Sequence, residues 1–466
     1  MTISGDKVSQ VSAGGGGVTA RGTSALLFAG LVVGNFLVIL DVSILNVALP
    51  DVKADLGASA AQLPWTADAY TVIFAGLLMA SGAVADRLGP RRVYRLALAL
   101  FALLSLACAA SPNATSLIVG RALLGAAAAG LVPASLALLA RLYPEPARRS
   151  RAIGSWAALS SCGFIAGPVI GGALVDLGGW RWVFLVNPLI VLVALLPTRG
   201  LSGHRPETRK KVDVAGLSLS ILGLGALTFG LIDAGSNGWG RPVPLVSLAL
   251  GIAAFVALGA VERKVETPVL PPALMKLGRV RADLFAGAMA SFVFYGTFFG
   301  LTLWMIHVRG YSPLETGLAF LPMTLPACFL PWLSGRSVAK FGSRPVILVG
   351  FAVSLVSGLG LVLAGSNPPL PLLIVLMLGL TVAGTSVIPA VTADMSGAAP
   401  AEYAATAMGA LSASRQAGVA LGVAVLGTVS TLRTAAVIVS ISSAVSLLVI
   451  AAVLRKPRAT VPGGTG

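Results

Sequence analysis

The sequence predicts an all-α membrane protein of fourteen transmembrane helices, arranged as two six-helix bundles with two further helices inserted between them. Three observations lead there. Only 11% of the 466 residues are charged and 56% are hydrophobic, against about 25% charged in a soluble domain, so there is too little polar surface to face water. Fourteen apolar segments, each near the ~20 residues that cross a bilayer as a helix, follow one another along the chain. Lys and Arg alternate between the connecting segments in the manner that orients membrane helices.

Residues 1–22 are polar and Gly-rich, with a run at Gly14–Gly17, and read as a disordered tail rather than a cleaved signal peptide. The apolar segments then fall at 24–48, 62–84, 94–111, 114–139, 152–175, 182–200, 214–234, 243–261, 283–307, 316–338, 345–364, 369–392, 404–430 and 434–454. The third and fourth segments nearly touch, as do the last two, so each of those pairs is expected as a helical hairpin. With the N-terminus inside, 26 of the 33 Lys and Arg fall on the inner side. Five lie outside (Lys53, Arg181, Arg241, Arg309 and Arg433), and Arg121 and Arg415 fall within helices. Both termini are therefore expected in the cytoplasm, although the loop between helices 12 and 13 carries no positive residue. The same bias accounts for the net charge of +16 without a nucleic-acid partner. Trp65, Trp180, Trp182, Trp239 and Trp304 fall at expected outer helix ends, where an aromatic belt belongs.

An internal repeat supports the two-bundle division. Gly82-Ala-Val-Ala-Asp86-Arg87-Leu-Gly89-Pro90-Arg91 joins helices 2 and 3, and Gly335-Arg336-Ser-Val-Ala-Lys340-Phe-Gly342-Ser-Arg344 joins helices 10 and 11. In both, glycines stand seven apart and an Arg follows the second by two. Gly167-xxx-Gly171 in helix 5 has its counterpart in Gly418-xxx-Gly422 in helix 13. The expected units are a tail (1–22), a first bundle (23–200), a linker (201–213), the inserted pair (214–261), a second linker (262–282), a second bundle (283–454) and a C-terminal tail (455–466). Facing homologous bundles bind substrate near the midplane between them.

Asp41 is an acid inside an apolar helix, where a charge costs about 2.5–3.5 kcal/mol or more. It reads either as a structural acid held by hydrogen bonds or as a proton carrier. At 1.5 Å of rise per residue, Arg121 on helix 4 reaches a similar depth, so the two can pair directly or through water. Asp86 sits beside a helix C-terminus, against the dipole, and needs a cation or another helix's N-terminus. Arg141 is a candidate partner, while Arg87, Arg91 and Arg92 also serve as inside anchors. Gly163, Gly167 and Gly171 lie four apart on one face, suited to close helix contact, and Pro168 bends the helix. Asp68 and Tyr70 fall near the outer mouth. Arg415 and Gln416 lie mid-helix 13, where a polar group faces a cavity or a partner. No acid is expected in the interior of helices 9–14, which argues against a multiply cationic substrate. Cys108, Cys162 and Cys328 have no CxxC spacing and read as buried thiols. His204 and His307 are far apart, so neither a metal site nor a catalytic pair is expected, and no cofactor is implied. No GxxxxGK[ST] phosphate loop is present.

Five motifs carry a family resemblance across residues 24–454: Leu40-Asp41-Val-Ser-Ile-Leu-Asn46-Val-Ala-Leu-Pro50 in helix 1, the Gly82–Arg91 loop, Arg121-Ala-Leu-Leu124-Gly125 in helix 4, Gly163-xxx-Gly167-Pro168-xx-Gly171-Gly172 in helix 5, and Trp180-Arg181-Trp182-Val-Phe-Leu-Val-Asn187-Pro188 opening helix 6. In order and position they resemble the major facilitator superfamily, and within it the fourteen-spanner drug:proton antiporters. Pro90 replaces a usual basic residue, and Leu124 a usual Gln. The resemblance implies the major facilitator fold and export of small hydrophobic or amphipathic compounds against protons, by alternating access. It implies proton coupling at Asp41 and Arg121, and a conformational latch of Gly82, Asp86, Arg87, Gly89, Arg91 and Arg141. The antiporter motif is Gly163, Gly167, Pro168, Gly171 and Gly172, and the substrate cavity is expected to use Asn46, Tyr70, Asn187, Arg415 and Gln416. Expected partners are a small-molecule substrate, protons and membrane lipids, with a monomer in the inner (plasma) membrane and no enzymatic activity. Two alternatives stay open: a nutrient or metabolite facilitator of the same superfamily, and a membrane-embedded lipid-modifying enzyme, although the latter needs clustered His, Asp or Glu.

Overall fold

The structure, a computed structural model, describes residues 16–59, 62–198, 213–265, 271–311, 313–365, 367–427, 429 and 431–453. Within these are fourteen long helices: α1 (Gly16–Leu56), α2 (Gln62–Leu88), α3 (Pro90–Ala109), α4 (Ala114–Leu142), α5 (Pro146–Gly178), α6 (Trp182–Thr198), α7 (Val214–Asn237), α8 (Pro242–Glu262), α9 (Gly278–His307), α10 (Pro313–Phe341), α11 (Ser343–Leu363), α12 (Leu370–Ala398), α13 (Ala404–Gly427) and α14 (Leu432–Val453). A one-turn helix, Pro272–Lys276, and a 3₁₀ turn, Ala401–Tyr403, precede α9 and α13. Eleven of the helices are long and apolar enough to cross a membrane, and the two arms of α5 together make a twelfth. Of the other two, α6 is an apolar helix of 17 residues, and α10 has 29 residues with internal prolines at 322, 326 and 331.

Local chemistry sets the boundaries. Asn113 caps α4, its side chain accepting from Ser116 N at 2.9 Å, while Ser116 reaches back to the Asn113 backbone, a reciprocal box that satisfies orphan amides. Asp213 caps α7 by accepting from Gly216 N at 2.8 Å. Pro90, Pro146 and Pro242 open their helices, where a missing N–H costs nothing. In the two repeated loops, Gly89 and Gly342 turn the chain with φ of 91° and 84°, a region closed to most side chains. The helices outrun the apolar segments. α1 begins at Gly16, so residues 16–22 of the expected disordered tail are helical. The reason is that backbone hydrogen bonding continues past the point where hydrophobicity stops. His204 with the rest of residues 201–212 of the first expected linker, residues 266–270 of the second, and the C-terminal tail lie outside the described residues.

Helix pairing repeats with a shift of eight. α1 packs on α4, α5 and α6, and α9 packs on α12, α13 and α14; α3 packs on α4 and α6, and α11 on α12 and α14. The most extensive contacts that join these two sets are α2 with α13 and α5 with α10, each the counterpart of the other; α4 with α13 and α5 with α12 add smaller ones. α7 leans on both α2 and α13, and α8 packs on α7 at the perimeter. Side chains such as Leu103, Leu189 and Leu363 point outward, as the lipid-facing surface of a membrane bundle requires. Of the cysteines, only Cys108 is buried; Cys162 is exposed and Cys328 half-buried. The sequence expectation of three buried thiols fails because an apolar run says nothing about which face of its helix meets lipid.

Odd-numbered helices begin on one face, called here the near face, and end on the far face. On the near face the bundles touch backbone to backbone. A Cβ added to Gly409 of α13 would come 2.6 Å from Leu78 O of α2, and one added to Gly335 of α10 would come 2.6 Å from Ser150 O of α5. On the far face, Trp180 Nε1 donates to Asp55 Oδ2 at 2.9 Å and Arg181 pairs with the same carboxylate. These bonds, Trp180 first, hold the Asp55 carboxyl below the usual range.

Candidate functional site

A buried ion pair occupies the middle of the first bundle. Asp41 of α1 and Arg121 of α4 are each 1% exposed and in direct contact. Arg121 Nε also donates to Thr66 O at 2.9 Å, and its guanidinium lies 4.5 Å from the centroid of the Tyr70 ring, so α2 holds it on two sides. The second Asp41 oxygen accepts from Asn187 Nδ2 of α6 at 2.9 Å, and the same amide reaches Ser105 Oγ of α3 at 3.2 Å. Two helices, α4 and α6, thus bond the α1 carboxylate directly, and α2 and α3 hold those two partners in place. An ion pair this dry persists only when its remaining hydrogen-bonding capacity is met, and the neighbours meet it. Because each bond comes from a different helix, movement of any one changes what the carboxylate feels.

The glycine helix sits alongside. Cβ atoms added to Gly163 and Gly171 would come 2.8 Å from Phe36 O and 2.9 Å from Ile44 Cγ1, and one at Gly167 would overlap Ser43 Oγ. Ser43 Oγ donates to Gly163 O at 3.0 Å. Three of the four motif glycines therefore press α5 against the stretch of α1 that carries Asp41. Gly172 faces open space. The helix bends by 41° between Phe164 and Val169, around Pro168, whose missing N–H breaks the ladder. The second bundle copies the contact: Gly418 and Gly422 of α13 lie against Ala288 and Phe292 of α9.

At the near face, Asp86 accepts from Ala405 N at 2.8 Å and Thr406 N at 2.6 Å. It caps the first turn of α13, where orphan amides and the helix dipole favour an anion. Of the two partners the sequence allowed, the helix N-terminus makes the hydrogen bonds; Arg141 acts on Asp86 only through space. Gly82 lies directly on the Ala405 backbone. Arg87 lies near Asp213, Gly89 forms the turn, and Arg91 is half-buried on the first turn of α3.

The residues expected together in a substrate cavity are not together. Asn187 is fully buried and Tyr70 is 1% exposed, both around the ion pair. Arg415 and Gln416 are half-buried on α13, in the other bundle. The Arg415 stem packs over Gly287 of α9, and its Nε has no hydrogen-bond partner among the described residues. The side chains of Asn46 and Pro168 lie outside the described residues. Ser105 and Thr66 were missed by sequence reasoning; the available signal for Ser105 was its place as the one serine or threonine in apolar α3.

One sequence expectation is corrected. Acids do lie within the helices of the second bundle: Asp283 on α9 is 0% exposed and Asp394 on α12 is 5% exposed. α9 starts five residues before its apolar run and α12 continues six residues beyond its own. Both acids were therefore assigned to loop edges.

Residues 31–423 match the family described as the Major Facilitator Superfamily. The chain is 37% identical over 412 residues to the methylenomycin A resistance protein of Bacillus subtilis (strain 168), covering 88% of each chain. It is 36% identical over 429 residues to the cephamycin export protein of Amycolatopsis lactamdurans, covering 88% of this chain and 86% of the relative. Its fold superposes on the human organic anion transporter crystal structure with a TM-score of 0.66 at 18% identity, covering 93% of this chain and 99% of the other.

Proposed function

The chain belongs to the Major Facilitator Superfamily, is a multi-pass membrane protein, and on that premise we propose that it is a proton-coupled antiporter exporting small hydrophobic or amphipathic compounds, antibiotics among them, by alternating access. The observation that carries this reading is the Asp41–Arg121 pair, buried at 1% exposure each, hydrogen-bonded to Asn187 and Thr66 and covered by the Tyr70 ring. A carboxylate poised against a cation inside a bundle takes up or gives away a proton when the helices around it shift. The resistance and export relatives support the substrate class. In this reading the chain spans the bilayer fourteen times, the near face is cytoplasmic with both termini, and the two bundles are α1–α6 and α9–α14. The protein works as a monomer.

The near-face contacts at Gly82, Gly409, Gly154 and Gly335 then describe a state closed to the cytoplasm. Asp86 on the α13 N-terminus is the latch of that state, and Arg415 and Gln416 are polar handles for substrate. The energy suffices: about 2.3 kcal/mol per charge per 100 mV, plus about 1.4 kcal/mol per pH unit.

Proteoliposomes test it. With protein reconstituted, an acid-inside pH gradient should drive uptake of methylenomycin A and release protons, and a protonophore should abolish both. Downhill equilibration that ignores the gradient would identify a facilitator and overturn the antiport reading.

A further inference from the structure

A second buried carboxyl stands apart from the Asp41 group. Asp283 of α9 is 0% exposed, neither of its oxygens meets a donor among the described residues, and it lies within hydrogen-bonding reach of another carboxyl, that of Asp394. Asp394 is already served. Its Oδ2 accepts from Arg279 Nε at 2.5 Å, and its Oδ1 accepts from Arg279 Nη2 and from Ser343 Oγ. Two carboxyls therefore share one guanidinium, and the cluster is one positive charge short. An uncompensated charge in this setting costs several kcal/mol, and two carboxyls in contact do not both ionise. One proton resolves both problems. With it, Asp283 is neutral and its O–H donates to an Asp394 oxygen.

We propose that Asp283 is a proton-binding site in the second bundle, separate from Asp41 and exchanging with water at the near face. The proton comes from hydronium: the Asp283 carboxylate takes it, leaving water, and returns it by the reverse step. Arg279 is the way in, since its side chain is 48% exposed while it holds Asp394. The charged groups around Asp283 are few. Those that act on it are Asp394 on α12 and Arg279 on its own helix; Arg281 is exposed, Arg344 follows Ser343 on α11, and Arg415 of α13 packs one turn further along α9 over Gly287. Ser414 Oγ of α13 donates to Leu284 O at 2.6 Å, so α13 is tied to α9 beside the site. Ser343 follows Gly342 of the repeated loop, so protonation here couples directly to the near-face turn. The inference does not depend on the antiport reading; a protein that moved substrate without protons would still carry it.

Infrared difference spectroscopy on the full-length protein in lipid tests it. At neutral pH the wild type should show a protonated carboxylic acid C=O band that shifts in D2O. Asp283→Asn should remove that band, Asp41→Asn should keep it, and sodium should leave it unchanged. Asp283→Asn, whose amide donates to Asp394 as the acid does, should melt at the wild-type temperature, whereas Asp283→Ala should melt lower. Loss of a carboxylate band instead of an acid band in Asp283→Asn would overturn the proposal. So would displacement of the proton band by sodium, which would make the occupant an alkali cation, or marked destabilisation of Asp283→Asn, which would mean that the site needs the ionised form.

Discussion

Asn187 Nδ2 lies 2.9 Å from Asp41 Oδ1, on the carboxylate oxygen that Arg121 does not use. The two donors divide the carboxylate between them, one charged from α4 and one neutral from α6. If Asp41 carries the coupled proton, its loss is fatal to energised transport and loss of Asn187 is damaging. Asp41→Asn should abolish uphill export while the protein still inserts. Asn187→Leu removes a hydrogen bond to a charged group, worth about 1.5–3 kcal/mol, and should slow export roughly 10- to 100-fold. Gradient-driven uptake in proteoliposomes measures both. Full proton-dependent transport by Asp41→Asn would remove Asp41 from the coupling role.

The helices, their order and the repeat were readable because hydrophobicity and Lys/Arg placement are one-dimensional signals. The Asp41–Arg121 pairing was readable too, since depth along a helix follows from residue count. The azimuth of a side chain around its helix was not. That is why Asn187 and Tyr70, expected in a cavity, surround the ion pair instead, and why Cys162 faces outward. Asp283 and Asp394 escaped for another reason: Asp283 is the first residue of its apolar run and Asp394 stands two past the end of its own, whereas the helices extend to Gly278 and Ala398.

The glycines of α5 should not be equal. A Cβ at Gly171 would come 3.0 Å from Ile44 O, while one at Gly172 meets nothing within 4 Å. Gly171→Ala should therefore force α5 away from α1 and lower both thermal stability and transport. Overpacking of this kind costs about 1–3 kcal/mol. Gly172→Ala should be silent in both. Equal effects from the two substitutions would show that the glycines serve flexibility rather than close contact.

Asp86 offers two oxygens to two amides, Ala405 N and Thr406 N. In Asp86→Asn, one acceptor becomes an NH2 that cannot accept and meets an N–H head-on. Loss of a cap costs about 0.5–2 kcal/mol, which moves a two-state population about 2- to 30-fold. The variant should shift toward the form open at the near face and turn over more slowly. Labelling of single cysteines placed on α2 and α13 at that face reads the shift. Unchanged labelling from both sides would mean that the cap does not hold the bundles together.

Cys162 on α5 and Cys328 on α10 bring their thiols within hydrogen-bonding reach of each other, across one of the two most extensive helix contacts that join the bundles. Copper–phenanthroline with oxygen, which accepts the two electrons, should join them as a disulfide with release of two protons. If α5 and α10 slide against one another during each transport cycle, that bond should stop turnover, and dithiothreitol should restore it. Of the three cysteines in the chain, Cys108 is buried and should remain a free thiol, so the oxidised protein should titrate with one thiol instead of three. Cys328→Ser should resist oxidation and keep its activity. A fully cross-linked protein that transports at the normal rate would show that α5 and α10 move as one body, and that the bundles rock about this contact instead of parting there.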